Sequence, residues 1–312
     1  MSNSVSFSVV ITNYNYRDYV GTAIESVLAQ TRAAAQLIVM DDGSTDGSAA
    51  WLVEQYGDDP RVTLRCVSNG GQLSAFVKGL DGVTGDIVCF LDADDHWDKN
   101  YLARIGELYD NRRDIDFVFT DVNLFGNEQG VLGYADRPTD LGYTAISTWV
   151  TAYWYGAATS ALSMRRSWAQ RALDLPSTFQ DTWRISADNC LVFGTSVLGA
   201  RKYFLPTGMV HYRVHGANGW WHARHKETQF TNCYRSRTLI NYYAERMRMN
   251  IFTLDLTKLE FRSKPEPSWD EARRYAKIAI RRSGAGWMKR VERSVAILRR
   301  GWRQRRKDGR RA

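Results

Sequence analysis

Over the first 120 residues, short apolar runs and helical stripes follow one another in a steady rhythm. Ser6–Thr12 (SFSVVIT) is a β-branched run bounded by polar residues, the pattern of a buried strand. Val20, Ala23, Ile24, Val27 and Leu28 then recur at helical spacing across Tyr19–Gln30. Leu37–Met40 is apolar again and runs into the acidic turn Asp41-Asp42-Gly43-Ser44-Thr45-Asp46. The same reading gives a helix over Ser48–Tyr56, a strand over Val62–Val67 and a helix over Ser74–Leu80. A strand over Ile87–Leu91 and a helix over Asn100–Asn111 complete the series. Strand and helix alternating in this way predict an α/β fold, with a mainly parallel Rossmann-like sheet flanked by helices. Ligands of such sheets bind beyond the carboxyl ends of the strands. Two acidic turns follow directly on apolar strands, so both should face one crevice.

The rhythm fades after about residue 120. Asp116–Thr120 reads as a strand, but 121–160 is rich in Gly, Thr and aromatics and fits no single period. Trp168–Leu173 and Asn189–Gly199 read as helices, with a strand near Ala200–Pro206. Gly216–His222 is a glycine-punctuated loop holding Trp220 and Trp221, which suit either a platform for a sugar or lipid or ordinary packing. Residues 225–249 and 270–282 are helical in pattern, separated by the break Lys264-Pro265-Glu266-Pro267. No internal repeat is present. Three regions result: 1–120, 121–250 and a helical C-terminal extension over 251–312.

Composition narrows the classes. With 312 residues, 44% hydrophobic and 24% charged, the chain has ample material for a core. Apolar runs such as Ile87–Leu91 are far too short to cross a bilayer. The N-terminus shows no basic n-region or cleavage site, so no secretory signal is expected. Cys66, Cys89, Cys190 and Cys233 are scattered, which argues for reduced thiols in the cytoplasm over a zinc site or disulfide framework. The net charge of +8 conceals a division. Residues 271–312 hold 16 Lys and Arg against 3 Asp and Glu, a net +13, which leaves −5 on the rest. A basic tail on a mildly acidic body points to an anionic surface, membrane or nucleic acid.

The strongest chemical signal is Phe90-Leu91-Asp92-Ala93-Asp94-Asp95. Two carboxylates two residues apart at a strand end can meet a hard divalent cation bridging diphosphate oxygens. A solvated acidic turn is the plain alternative. The Asp41–Asp46 turn can accept the imino hydrogen of a base, or Ser44, Thr45 or Asp46 can cap the next helix. Asn69-Gly70-Gly71-Gln72 opens a helix, and its glycines would let backbone N–H groups approach an anion, unless it is only a tight turn.

Taken together, SVVITNYN, LIVMDDGSTDGS, NGGQLSAFVKGL and GDIVCFLDADDHW resemble four successive signatures of the family 2 glycosyltransferases, which have the GT-A fold. The resemblance is strong over about 5–120 and weaker to about 220. It implies inverting transfer of a sugar from a nucleoside-diphosphate sugar, with Mg²⁺ or Mn²⁺, and because this sequence shows neither the Gln-x-x-Arg-Trp element nor the transmembrane helices of the family's processive members, non-processive transfer is expected. Residues 1–120 would then be the nucleotide-sugar-binding half, and 121–250 the acceptor and catalytic-base half. By the same resemblance, Thr12, Tyr14 and Asn69 fall in the donor site, and Asp42 on the carboxylate that reads the base. Asp92 and Asp94 match the metal-binding acidic pair, Asp94 as the direct ligand and Asp92 nearer the ribose. Where the family often has Ala-Arg-Asn, this chain has Ala75-Phe76-Val77, so Lys78 or backbone groups would have to replace that arginine at a phosphate.

Inverting transfer needs one carboxylate to take the acceptor proton. Ser163-Met164-Arg165-Arg166 and Ile185-Ser186-Ala187-Asp188-Asn189 resemble the family's arginine-pair and base segments, which puts Asp188 on the base, with Asp181 as competitor. Tyr212-Arg213-Val214-His215 resembles a late family element in which Arg213 and His215 would contact phosphate or metal. His211 and His215, four apart, would form a metal pair only in a helix. Along 269–303, Trp269, Ala272, Ala276, Ala279 and Ile280 recur near helical spacing among arginines. Trp287, Val291, Val295, Ile297, Leu298 and Trp302 continue the pattern. Such helices can lie on an anionic membrane, the inner face of the cell membrane in this reading, near a lipid-linked acceptor. Two other readings compete: a nucleic-acid-binding protein working through the tail, although no reader motif is present and no nucleic acid is expected, and a sugar-phosphate nucleotidylyltransferase. The latter needs a glycine-rich loop where this chain has Thr12–Tyr16.

Overall fold

The structure is a computed structural model and describes residues 4–216, 226–282 and 284–308. Its first part follows the sequence pattern closely: β1 (Phe7–Asn13), α1 (Arg17–Leu28), β2 (Gln36–Asp42), α2 (Ser48–Tyr56), β3 (Val62–Val67), α3 (Gln72–Leu80), β4 (Ile87–Asp92), β5 (His96–Trp97) and α4 (Tyr101–Asn111). Then come β6 (Phe117–Thr120), β7 (Val122–Gly126), β8 (Gly130–Leu132), β9 (Thr139–Gly142), α5 (Ala145–Thr151), β10 (Leu162–Arg165), α6 (Arg166–Leu173), α7 (Thr178–Thr182) and α8 (Asp188–Leu198). The chain closes with β11 (Lys202–Leu205), β12 (Val210–Val214), α9 (Lys226–Arg246), α10 (Thr257–Arg262), α11 (Trp269–Arg281) and α12 (Trp287–Asp308).

The described strands build an eight-stranded sheet in the order β3-β2-β1-β4-β10-β6-β11-β9 and a small sheet β5-β12-β7-β8. Strands β3, β2, β1 and β4 are mutually parallel, β10 is inserted antiparallel between β4 and β6, and β6 pairs parallel with β11. Both faces of the large sheet are covered. Along β1, Val9 and Ile11 pack with Val20, Ile24 and Ile105, whereas Val10 packs with Ile38, Phe76 and Phe90 on the other face.

The region without a period, 121–160, contains three short strands and α5, too brief for alternation to register. Strand β10 was also invisible. Its residues are the arginine-pair segment, and both arginines serve the fold at the edge away from the acidic turns. Arg165 Nε donates to Ile115 O at 2.9 Å and Arg166 Nη1 to Val83 O at 3.0 Å.

The tail differs from the sequence expectation in one respect. Helices α11 and α12 do form, but they pack on each other and on Phe261, with Ala272, Ala276, Ala279 and Ile297 buried between them. A Cβ on Gly301 would overlap that of Ala272, so glycine sets how close the two helices come. No described helix is long and apolar enough to cross a membrane.

Candidate active site

The cleft lies where the carboxyl edges of β1, β2 and β4 meet. Strand register sets Thr12 opposite both Met40 and Asp92, and Asn13 opposite Asp41, so the acidic ends of β2 and β4 flank β1. Asp41 shapes its own turn, accepting from Asn13 Nδ2 at 2.7 Å and from Ser44 Oγ at 2.6 Å. Asp42 lines the cleft, and its two oxygens accept the N–H groups of Gly70 and Gly71 at 2.8 and 2.7 Å. Sequence reasoning offered those N–H groups to an anionic ligand; the anion they hold is Asp42 itself. The next donors of α3, Gln72 N and Leu73 N, reach Arg184 O and Trp183 O at 2.8 and 3.3 Å. This helix N-terminus is therefore filled by the chain. Gly71 has φ +85°, and a Cβ there would lie 2.7 Å from Arg184 Cα, so only glycine admits the 183–185 segment at this distance.

That segment brings in a residue the sequence did not single out. Arg184 lines the cleft and donates through Nη2 to Asn69 Oδ1, while Asn69 Nδ2 donates to Asp42 O at 2.9 Å. No local signal marks an arginine that is 115 positions from Asn69 in sequence and meets it only in three dimensions. The position the family's arginine would occupy is Phe76, wholly buried against Phe90. Lys78 is not brought to the cleft. It lies in the last turn of α3, which runs away from the site.

Asp92 and Asp94 both line the cleft. Asp92 Oδ1 accepts from Gln72 Nε2 at 2.9 Å, and Asp94 Oδ2 meets His215 Nε2 at 2.9 Å. Arg213 Nε donates to Asp94 O at 3.0 Å, and its guanidinium lies between the rings of Tyr19 and Phe125. Arg213 and His215 thus hold Asp94 from behind. His211 does not join His215: in the extended strand β12 it stacks on His96 and meets Asp98 at 3.1 Å. Asp95 is buried and accepts from Ser160 Oγ at 2.6 Å and Arg213 N at 2.8 Å.

This crowding has an electrostatic signature. Burial, followed by the negative charges of Asp94 and Asp188, pushes the Asp92 carboxyl up to about 8. Burial, followed by the charges of Asp94 and Asp92, holds Asp95 well above the usual carboxylate range. Burial alone pushes Asp188 up to about 6. Hard oxygen donors facing a cleft under mutual repulsion fit a divalent cation, which would relieve that repulsion. Among the described residues no group of three or more His, Cys, Asp and Glu forms a protein cage, so such an ion would draw further oxygens from substrate or water.

Asp188 sits in the first turn of α8 and lines the cleft. Asp181 is exposed in the short helix α7 and does not line it. Thr12, Tyr14 and Asn69 lie in the same wall, joined by Tyr16 and Tyr212. The opposite wall is aromatic, with Phe119, Tyr134, Tyr153 and Trp154 around a cavity of about 1020 Å³. Trp220 and Trp221 lie outside the described residues.

The model of the family described as glycosyl transferase family 2 matches residues 8–169. The chain is 34% identical over 222 residues to an uncharacterized glycosyltransferase of Nostoc sp., covering 69% of this chain and 66% of that protein. Identity is also 34% over 138 residues with the putative teichuronic acid biosynthesis glycosyltransferase TuaG of Bacillus subtilis, covering 44% and 54%. The chain therefore spans just under two thirds of the first relative's length and about half of the second's. Among solved structures, S. aureus TarS 1–349 in complex with UDP-GlcNAc matches with TM-score 0.57 at 13% identity, covering 97% of this chain and 92% of that one. That likeness is one of fold.

Proposed function

The chain belongs to glycosyltransferase family 2, and on that premise we propose that it moves one sugar from a nucleoside-diphosphate sugar to a hydroxyl of a glycan or lipid-linked acceptor by a single inverting displacement. One observation carries the reading: Asp42, Asp92, Asp94 and Asp188 converge on one cleft of about 1020 Å³, large enough for a nucleotide sugar and the end of an acceptor. The TarS structures with UDP-GlcNAc and UDP make a uridine diphosphate sugar the first donor to try.

In this reading residues 1–120 form the donor half, where Thr12, Tyr14, Asp42 and Asn69 hold the nucleoside. Asp94, with Asp92 beside it, would hold Mg²⁺ or Mn²⁺, which when bound neutralises charge on the leaving diphosphate. Residues 121–250 supply the base and the acceptor wall. Asp188, raised to about 6 by burial, is ionised at neutral pH and more basic than an ordinary aspartate, as taking a hydroxyl proton requires. His215 and Arg213 keep Asp94 aimed at the cleft.

The proposal extends to a partner for residues 251–312, an anionic membrane on its cytoplasmic face. Trp287, Val291, Val295, Leu298 and Trp302 follow at three- and four-residue steps and share one stripe of α12, with Arg299, Arg303 and Arg306 beside it. Trp287 is 73% and Met288 70% exposed, and Phe252, also 70% exposed, lies next to Gly284 at the same end of the hairpin. Apolar side chains rimmed by arginines suit the headgroup layer.

The deciding experiment is a panel of nucleotide sugars, with and without Mn²⁺ or Mg²⁺, read by hydrolysis and by protection against thermal unfolding. Metal-dependent hydrolysis of one of them is the expected result. Absence of both protection and hydrolysis across UDP-, GDP- and dTDP-sugars would overturn the proposal.

A further inference from the structure

Gln72, the first residue of α3, touches both the acidic pair and the segment carrying Asp188 with one side chain. Its Nε2 donates to Asp92 Oδ1 at 2.9 Å, and its Oε1 accepts the N–H of Ala187 at 2.9 Å. Its own backbone N–H donates to Arg184 O at 2.8 Å, so the 184–187 segment is pinned to α3 at two points. Both ends of the amide are thus occupied, and the donor end faces the carboxylate.

The segment it holds is strained. Ser186 has φ +59°, a left-handed conformation that a serine adopts only when its surroundings impose it. Asn189 contributes from within the turn, donating through N at 3.2 Å and Nδ2 at 2.9 Å to Ser186 O. The Gln72–Ala187 bond contributes from outside, and the left-handed turn is what sets Asp188 in the first turn of α8, with Oδ1 accepting from Asn189 N at 3.0 Å. Asp188 and Asp92 line the same cleft. Gln72 offers a donor to Asp92 and an acceptor to the Asp188 turn, and so ties the two across it.

We infer that Gln72 is a positioning residue that locks the strained turn of Asp188 to Asp92, so that a single side chain registers the base against the donor site. The inference rests on the reading of Asp188 as the base. A misplacement of about 1 Å at a reacting group can cost on the order of 10²-fold in rate, whereas the proposed nucleoside contacts Asp42 and Asn69 are held by Gly70 N, Gly71 N and Arg184 Nη2 and not by the Gln72 amide.

The test is Gln72→Met, which keeps the length and volume of the side chain and removes both hydrogen bonds, compared with Asp188→Asn and the double variant. Three quantities are measured in the full chain: hydrolysis of the sugar nucleotide that the wild type turns over, UDP affinity by calorimetry with Mn²⁺, and thermal unfolding. Gln72→Met should lose at least tenfold in kcat while UDP affinity stays within about threefold, and it should add almost nothing to the loss in Asp188→Asn. Unchanged kcat in Gln72→Met, or losses that multiply in the double variant, would overturn the inference. A parallel loss of kcat and UDP affinity would also overturn it, because Gln72 would then be part of the donor site or the fold. If Asp188→Asn itself keeps wild-type turnover, the base assignment fails instead, and that outcome is read independently of Gln72→Met.

Discussion

Residues 1–120 and the C-terminal residues 251–312 carry comparable numbers of charged side chains but use them in opposite ways. In residues 1–120, carboxyl groups gather at one edge: Asp42, Asp92 and Asp94 line an open cleft, and burial, followed by the charges of Asp94 and Asp188, raises the proton affinity of Asp92. In residues 251–312, the few buried charges are held by partners. Lys264 Nζ lies 3.1 Å from Glu271 Oε2, Tyr155 OH donates to Glu271 Oε1 at 2.5 Å, and Glu260 caps α5 by accepting from Ile146 N and Ser147 N at 2.8 and 3.1 Å. Arg274 Cζ sits 3.3 Å from the centroid of Tyr153, a residue of the aromatic cleft wall. Carboxyl groups gathered at an open cleft suit a cation, and buried ion pairs mark a joint. The hairpin is that joint, bracing the wall that would face the acceptor.

If this contrast is right, substitutions in the two regions should differ in what they damage. The largest effect is expected from Asp94→Asn, with metal-dependent turnover falling by about 10⁴-fold, the worth of several kcal/mol of charge stabilisation. Circular dichroism and the thermal midpoint should show an intact fold. Wild-type turnover that still requires added metal would move the metal site elsewhere.

Next is Asp188→Asn, with kcat lower by roughly 10²–10⁴ and UDP affinity little changed, while Asp181→Asn stays near wild type. In the wild type, kcat should fall as pH drops through about 6, because the base must be ionised. Stability has the opposite sign. The folded carboxyl holds its proton to about 6 and the unfolded one to about 3.8, so ionising it between those values destabilises the fold, and the destabilisation is complete above pH 6. Asp188→Asn should therefore be more stable than wild type at pH 7.5 by up to ~3 kcal/mol, with the gain gone near pH 4. Unfolding curves at the two pH values decide this.

Glu271→Ala should show the reverse profile. Leaving Lys264 buried without its partner costs about 3–5 kcal/mol, seen as a drop of roughly 10 °C in the thermal midpoint. UDP affinity measured well below that midpoint should stay within a few-fold. A variant that loses UDP binding before it loses stability would erase the distinction between the regions.

The smallest effect concerns the outer face of the hairpin. Trp287→Ser with Trp302→Ser should weaken sedimentation with anionic vesicles by about tenfold or more, since each buried indole contributes a few kcal/mol at most. Turnover on a soluble acceptor should not change. Undiminished vesicle binding would end the membrane proposal.

How much of this could be read in the chain depended on distance along it. The helices and longer strands of residues 1–120 were legible because a strand, its turn and the next helix lie within a few tens of residues, so periodicity and punctuation were visible together; α2 and β3 coincide with the ranges expected from pattern alone, whereas the two-residue β5 was not expected. Strand β10, four residues long and antiparallel, had no such support. In the tail, the periodic apolar residues were visible but their destination was not. Ala272, Ala276 and Ile297 face a partner helix, while Trp287 and Val291 face solvent, and both sets have the same spacing.

By itself the sequence determined the parallel half-sheet, the acidic strand ends and their shared edge, because side-chain alternation and right-handed crossovers leave few other arrangements. It also determined the segregation of charge. Only the tertiary structure decided that Asp42 is the anion held by the Gly70–Gly71 turn, that Arg184 enters the cleft while Lys78 does not, that Asp188 lines it while Asp181 stays outside, and that the tail folds back as a hairpin. Each of those outcomes turns on contacts between residues far apart in the chain. Hydrogen-bond satisfaction and burial choose among candidates that local composition leaves equal, and neither can be evaluated until the partners are brought together.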